Sequence, residues 1–171
     1  PVRVKNSYNI QSPGSIIVEN HTGEVPPVCA ITTVKNITLI DIVSSRMLGA
    51  AGFLAHIFNN FLKWNISIDV IATSEVSVSL TVNTKSDLSG LIADLEQASQ
   101  VSVRKEKAIV TIICDAAHSS AILASGFKAL AEEGINVQMI SQGASKVNIS
   151  MIVDANEADK TIQILHRAYF N

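Results

Sequence analysis

Charge of one sign, aromatic rings, cysteine and long apolar runs are all scarce in this 171-residue chain. Thirteen Lys and Arg against fifteen Asp and Glu leave a formal net charge of −2. Without a basic excess nothing draws in a phosphate backbone, which argues against a nucleic-acid binder. The apolar runs end early: Ala108 to Cys114 meets Asp115, and Leu48 to Phe58 contains His56. Neither approaches the ~20 residues that a membrane-spanning helix needs, so no membrane partner is expected. Two cysteines, Cys29 and Cys114, make neither a disulfide framework nor a zinc pattern. Both sit in strand-like apolar surroundings and read as small buried hydrophobes of a reducing, intracellular compartment. What is plentiful is apolar side chain, at 47% of residues, which excludes global disorder. The chain opens on Pro1 without a signal peptide, and we expect it to be a piece of a longer protein.

Residues 1–27 differ from the rest. Ser12-Pro13-Gly14-Ser15 and Gly23-Glu24-Val25-Pro26-Pro27 are turn and linker chemistry around one short strand, Ser15 to Val18, and read as a connector. Regular patterns follow. Ile37 to Val43 is a strand, and apolar residues at 53, 54, 57, 58, 61 and 62 recur at helical spacing. Ile66 to Ile71 and Val76 to Val82 are strands; Leu88, Leu91, Ile92 and Leu95 mark a helix, with Thr84 and Asp87 as a capping pair; Val101 and Val103 mark a short strand. The order then returns: strand Ala108 to Cys114, a helix through Ile122, Phe127 and Leu130 stopped by Gly134, strands Ile135 to Ile140 and Val147 to Val153, and a last helix through Ala158, Ile162 and Leu165 to about Tyr169.

The repeat also shows in residue identities. Asn65-Ile66-Ser67-Ile68-Asp69-Val70-Ile71 aligns with Gly134-Ile135-Asn136-Val137-Gln138-Met139-Ile140, and Glu75 to Leu80 aligns with Lys146 to Met151. A period of about seventy residues exceeds a solenoid repeat and fits a duplicated small domain. Each copy reads β-α-β-β-α-β, an α+β fold with antiparallel sheets and helices on one face. The second copy is one strand short, and Val28 to Val34 is a spare β-rich run. We expect that run to complete it, since an open sheet edge would otherwise remain. The expected division is a connector over 1–27, a first domain over 35–104, and a second built from 28–34 plus 105–171.

Catalytic signatures are missing. There is no G-x-x-x-x-G-K-[ST], G-x-S-x-G or H-E-x-x-H, and Gly143-Ala144-Ser145-Lys146 is only superficially phosphate-loop-like. His21, His56, His118 and His166 are scattered without metal-ligand spacing, so neither a metal nor a cofactor is expected. The sequon triplets at Asn20, Asn36, Asn65 and Asn148 read as chance matches. One stretch has the character of a site: Ser44-Ser45-Arg46-Met47-Leu48-Gly49-Ala50-Ala51-Gly52-Phe53-Leu54 leads small residues and two glycines into a helix. The first N–H groups of a helix lack internal partners and carry the positive end of its dipole, so a carboxylate can sit there, with Gly52 allowing close approach. Asp69 lies in the next strand, and strict alternation gives it the face of Ser67 and Ile71. Ser74 and Glu75, in the following turn, add acceptors for a basic group. An anion-binding turn near a carboxylate suits a zwitterion. A tight turn with Asp69 merely exposed at a strand end is the structural alternative. Copy two has Gln138 in place of Asp69, and Asp115-Ala116-Ala117-His118-Ser119-Ser120 in place of the glycine-bearing turn. That suggests one ligand-competent copy and one structural copy. Arg46 is either a ligand contact or a surface or interface cation.

These residues carry a resemblance. The stretches Arg46 to Gly49, Gly52 to Ala55, Ile66 to Leu80 and Val137 to Ser150 resemble the C-terminal regulatory region of aspartokinases, a pair of ACT domains, and most of all the lysine-sensitive plant-type and related bacterial enzymes. The resemblance implies an upstream kinase domain, absent here, that phosphorylates the β-carboxylate of aspartate with ATP, so no catalysis is expected in this stretch. It implies a sensor for an end-product amino acid, lysine foremost and threonine as the alternative, seated on the first ACT domain at the interface of a homodimer. Carried over residue by residue, Met47, Ala50, Phe53 and Leu54 hold the carboxylate and α-amino end, beside the Gly52 already singled out. Asp69, Ser74 and Glu75 take the amino groups, with Ser67 and Ile68 alongside. Ala50 stands where some lysine-sensitive relatives have serine. The family builds its second unit from a strand before the first; plant-type members also respond to S-adenosylmethionine acting with lysine. Cytoplasm and plastid both fit. The remaining alternative is a ligand-free ACT dimerisation module.

Overall fold

The computed structural model describes residues 1–19, 26–85, 87–115, 118–143 and 148–170. The sequon at Asn20, residues 23–25 of the linker, and residues 144–147 with the start of the Val147 strand lie outside them. Two short strands, β1 (Val2–Val4) and β2 (Ser15–Ile17), pair antiparallel at the start, so this region holds two strands rather than one. The body follows as β3 (Val28–Val43), α1 (Phe53–Lys63), β4 (Ile68–Thr73), β5 (Ser77–Asn83), α2 (Ser89–Glu96), β6 (Gln100–Cys114), α3 (Ser119–Glu132), β7 (Met139–Gln142), β8 (Asn148–Asp154) and α4 (Ala158–Phe170).

Two strands organise everything. β3 and β6, of 16 and 15 residues, pair along nearly their whole length, and β4 and β5 flank one half while β8 and β7 flank the other. The result is one six-stranded antiparallel sheet ordered β4-β5-β3-β6-β8-β7. The runs 28–34 and 37–43 are therefore one strand, as are 101–103 and 108–114. The fold is α+β, two βαββαβ units sharing their central strands. Val28 opposite Cys114 and Lys35 opposite Ala108 bring the first half of β3 beside the second half of β6.

A parity switch joins the halves. In β6, Val101 and Val103 face α1 and α2, whereas Ala108, Val110, Ile112 and Cys114 face α3 and α4. Odd positions give way to even ones because Glu106 adopts a left-handed conformation (φ 57°). Asn36 (φ 60°) does the same in β3, where the register shifts. Each extra residue keeps α1, α2, α3 and α4 on one face, as a β-bulge does. The opposite face buries Ile37, Leu39, Ile109, Met139 and Ile152, with Val70 and Ala72 packed against them. Edge strands β4 and β7 thereby approach each other, and the Ser141 hydroxyl donates to the Ile71 carbonyl at 2.7 Å.

Helix ends explain why strands begin later than hydropathy suggests. After α1, the Ile66 N–H returns to the Phe61 carbonyl at 3.0 Å with Asn65 left-handed; after α3, the Ile135 N–H returns to the Leu130 carbonyl at 2.9 Å with Gly134 left-handed. Both are Schellman closures that use the first apolar residue to end the helix, so β4 starts at Ile68 and β7 at Met139. The pairing of Thr84 with Asp87 does not form. Asp87 instead accepts the Ser89 N–H at 3.0 Å, and Thr84 meets the Thr38 hydroxyl. Those bonds to Ser89 hold the Asp87 carboxyl below its usual range. In each unit a ring packs against a helical glycine. A side chain at Gly90 would collide with Trp64, and one at Gly126 with Tyr169. Cys114 is buried in the core of the second unit, whereas Cys29, at a register shift of β3, is exposed.

Candidate functional site

The turn after β3 folds as a short 3-10 segment, Ser45–Met47, and then passes through two left-handed glycines, Gly49 (φ 67°) and Gly52 (φ 86°). A Cβ at either would meet nothing within 4 Å, so torsion rather than crowding demands glycine there. Gly52 is the N-cap of α1 and makes no side-chain cap; the Phe53 N–H donates to the Ala50 carbonyl at 3.4 Å, which leaves the next N–H groups of this 11-residue helix, those of Leu54 and Ala55, for another acceptor.

Facing this opening is the turn between β4 and β5. Together they line an open pocket of about 500 Å³, formed by Met47, Leu48, Gly49, Ala50, Ala51, Gly52, Phe53, Leu54, Ser74 and Glu75. Of the expected site residues, Met47, Ala50, Gly52, Phe53, Leu54, Ser74 and Glu75 meet here. Leu48, Gly49 and Ala51 join them, and the run of small residues in the sequence was the signal for them. The Ser74 hydroxyl is already engaged: it lies 2.6 Å from the Ser77 hydroxyl and accepts the Ser77 N–H at 3.2 Å. Ser74 thus builds the turn, and Glu75 is the one carboxylate on the wall.

Ser67, Ile68 and Asp69 do not line this pocket. Ile68 packs on the cluster under α1 and α2, and Ser67 and Asp69 are exposed. Strict alternation fails across this stretch. Ile68 and Ile71, three apart, both lie on the helix face, because the register shifts between them and Thr81 is opposed by two residues. Asp69 sits on that bulge of an edge strand, so its expected grouping with Ile71 does not hold. Arg46 is exposed and lines a different groove, with Val43, Ser44, Ser45 and residues 97–100.

The second unit is wired differently. Gln138, at the repeat position of Asp69, is half-buried and bonded on both ends of its amide. Arg104 Nη1 donates to its Oε1 at 3.3 Å, and its Nε2 donates to Asp154 Oδ1 at 2.9 Å. Arg104 also pairs with Asp41, which accepts the Ser79 hydroxyl at 2.6 Å, and Lys107 pairs with Asp154. Lys107 first, and Gln138 after it, hold the Asp154 carboxyl below its usual range. No group of three or more His, Cys, Asp or Glu side chains among the described residues can hold a metal ion. No helix among them is long and apolar enough to cross a membrane.

Comparison with known proteins agrees with this architecture. A profile of the ACT domain family matches residues 111–169. A chloroplastic aspartokinase of Arabidopsis thaliana, aspartokinase 3, is 45% identical over 99% of this chain and 32% of its own length. The C-terminal regulatory domain of an aspartate kinase from Porphyromonas gingivalis is 32% identical with a TM-score of 0.71, over 83% of this chain and 97% of that one. Aspartokinase III of Escherichia coli, in complex with lysine and aspartate in its T-state, is 32% identical with a TM-score of 0.77, over 94% of this chain and 37% of that one. The chain spans about a third of the length of the curated relatives it matches.

Proposed function

Because this chain belongs to the aspartokinase family, matching its ACT-type regulatory region, we propose that it is a lysine sensor that feedback-inhibits the phosphorylation of aspartate by ATP elsewhere in the same enzyme. The observation that carries the reading is the pocket itself. An uncapped helix N-terminus faces Glu75 across a cleft otherwise lined by small and apolar residues. The helix opening takes the effector's α-carboxylate, and Glu75 takes a terminal ammonium. Threonine has no such ammonium, so the wall favours lysine.

We divide the chain as 35–104 for the effector-binding ACT domain and 28–34 with 105–171 for its partner, with 1–27 as the connector to the kinase domain. Asp69, with Ser67 and Ile68, lies on an edge strand outside the pocket of its own chain. In this reading it meets effector across a homodimer interface, where a second copy covers the exposed Leu48, Leu54 and Val76 at the rim. The effector acts only by preferring one quaternary state. The named chloroplastic relatives support a plastid home.

Calorimetry with lysine, threonine, methionine and isoleucine tests this. Lysine is expected to bind, Glu75→Gln and Asp69→Asn to remove the heat without unfolding the chain, and threonine to bind more weakly. Unchanged lysine affinity in Glu75→Gln contradicts the reading.

A further inference from the structure

Among the described residues, two polar links between the halves of the sheet start near the pocket walls. Ile71, whose carbonyl Ser141 grips, is on β4, three residues before Ser74 in the turn that follows it. Asp41, which anchors Arg104, is three residues before Ser44, whose N–H is held by the Val76 carbonyl at 2.9 Å beside Glu75. At about 3.3 Å per residue, the Ile71 link lies roughly 10 Å along the chain from Ser74 on the pocket wall, and the Asp41 link a similar distance from Ser44, one hydrogen bond from Val76, the neighbour of Glu75. Both links end in the second unit: Ser141 is on β7, and the chain Ser79–Asp41–Arg104–Gln138–Asp154–Lys107 ends on β8 and the second half of β6.

Residue 138 is suited to this task by its chemistry. It must accept from a guanidinium and donate to a carboxylate at once, and an amide does both. A carboxylate there, as Asp69 is in the first unit, would face Asp154 with like charge. The position that stands exposed in one copy has become an internal splice in the other.

We propose that Ser141 and Gln138 form a tie that fastens the second unit to the effector-binding unit and carries the state of the pocket across. The signalling half rests on the lysine-sensor reading; the fastening half does not. Coupling of this kind needs an element whose arrangement both sites bias, and the seam between β4 and β7 is that element.

Amide hydrogen exchange on the whole chain tests it. Without ligand, Ser141→Ala combined with Gln138→Met is expected to speed exchange at Ile71–Thr73, in the other unit, by about tenfold while the β3 core stays protected. Ser141→Thr, which keeps the hydroxyl, is expected to leave those amides slow. With saturating lysine, the parent chain is expected to gain protection in both β4 and Met139–Gln142, and the double variant in β4 alone. Unchanged β4 exchange in the ligand-free double variant, or lysine protection of β7 that persists in it, overturns the tie. Absence of lysine heat from the parent chain overturns the sensor instead, and the ligand-free exchange then decides the fastening. Should the double variant fail to fold, Ser141→Ala alone gives the same readout.

Discussion

Asp69 and Gln138 hold the same place in two copies of one fold, yet one stands exposed on a bulged edge strand and the other is bonded at both ends of its side chain. The turn before the first helix differs in parallel. In the first unit it passes through Gly49 and Gly52 and opens a pocket. A duplicated scaffold leaves two copies of each position, and only one needs to stay available to a ligand. The other is free to become an internal connection.

The largest test of this contrast asks whether the units are independent at all. Phe61 fills the core of the first unit, and Phe61→Ala is expected to cost about 3–5 kcal/mol. Because β3 and β6 belong to both units, calorimetric melting is expected to remain a single transition at lower temperature. Two separate transitions, with the second unit unmoved, would break the picture of a shared sheet.

Next in size are two glycines with similar backbone torsions. Gly52 (φ 86°) opens α1 at the pocket, and Gly134 (φ 72°) closes α3 away from it; a Cβ at either meets nothing within 4 Å. Alanine at either is expected to cost about 1–2 kcal/mol by torsion. Lysine affinity should fall for Gly52→Ala and hold for Gly134→Ala. Equal losses of affinity would mean that the pocket is not where binding occurs.

Tyr169 offers a test confined to the second unit. Burial, with the nearby Cys114 thiol, pushes its hydroxyl up to about 12, and it donates to the Ile122 carbonyl at 2.7 Å. The unfolded phenol titrates near pH 10, so the folded state holds its proton more tightly. The stability this provides is present below pH 10 and is lost as pH rises from about 10 to 12. Tyr169→Phe is expected to cost about 1 kcal/mol at neutral pH and to flatten that alkaline loss in denaturant titrations.

The smallest expected effect is at the bulges. Glu106→Gly relieves a left-handed torsion that glutamate tolerates poorly, and a gain of about 0.5–1 kcal/mol is expected. Asn36→Gly should change stability less, since asparagine visits that region readily.

Much of this was legible in the sequence. The helix periods and the aligned segments around 65–71 and 134–140 gave the duplicated βαββαβ order, and the glycine-bearing turn marked the pocket. Other features depend on where the chain leaves a simple period. Nothing in the composition of Asn36 or Glu106 announces a bulge. The switch from odd Val101 and Val103 to even Ala108, Val110 and Ile112 was the available trace. The bulge at Asp69 likewise defeats alternation, so its expected grouping with Ile71 failed. Long-range partners such as Arg104, Gln138 and Asp154 meet through the pairing of β6, β8 and β7, which no local pattern encodes.

A crystal structure of the chain grown with lysine addresses the central claim most directly. Density for one lysine per chain is expected between the N–H groups that open α1 and the Glu75 carboxylate, with nothing bound beside Gln138. Lysine seated in the second unit, or an empty turn at Gly49–Leu54 under saturating lysine, would contradict it.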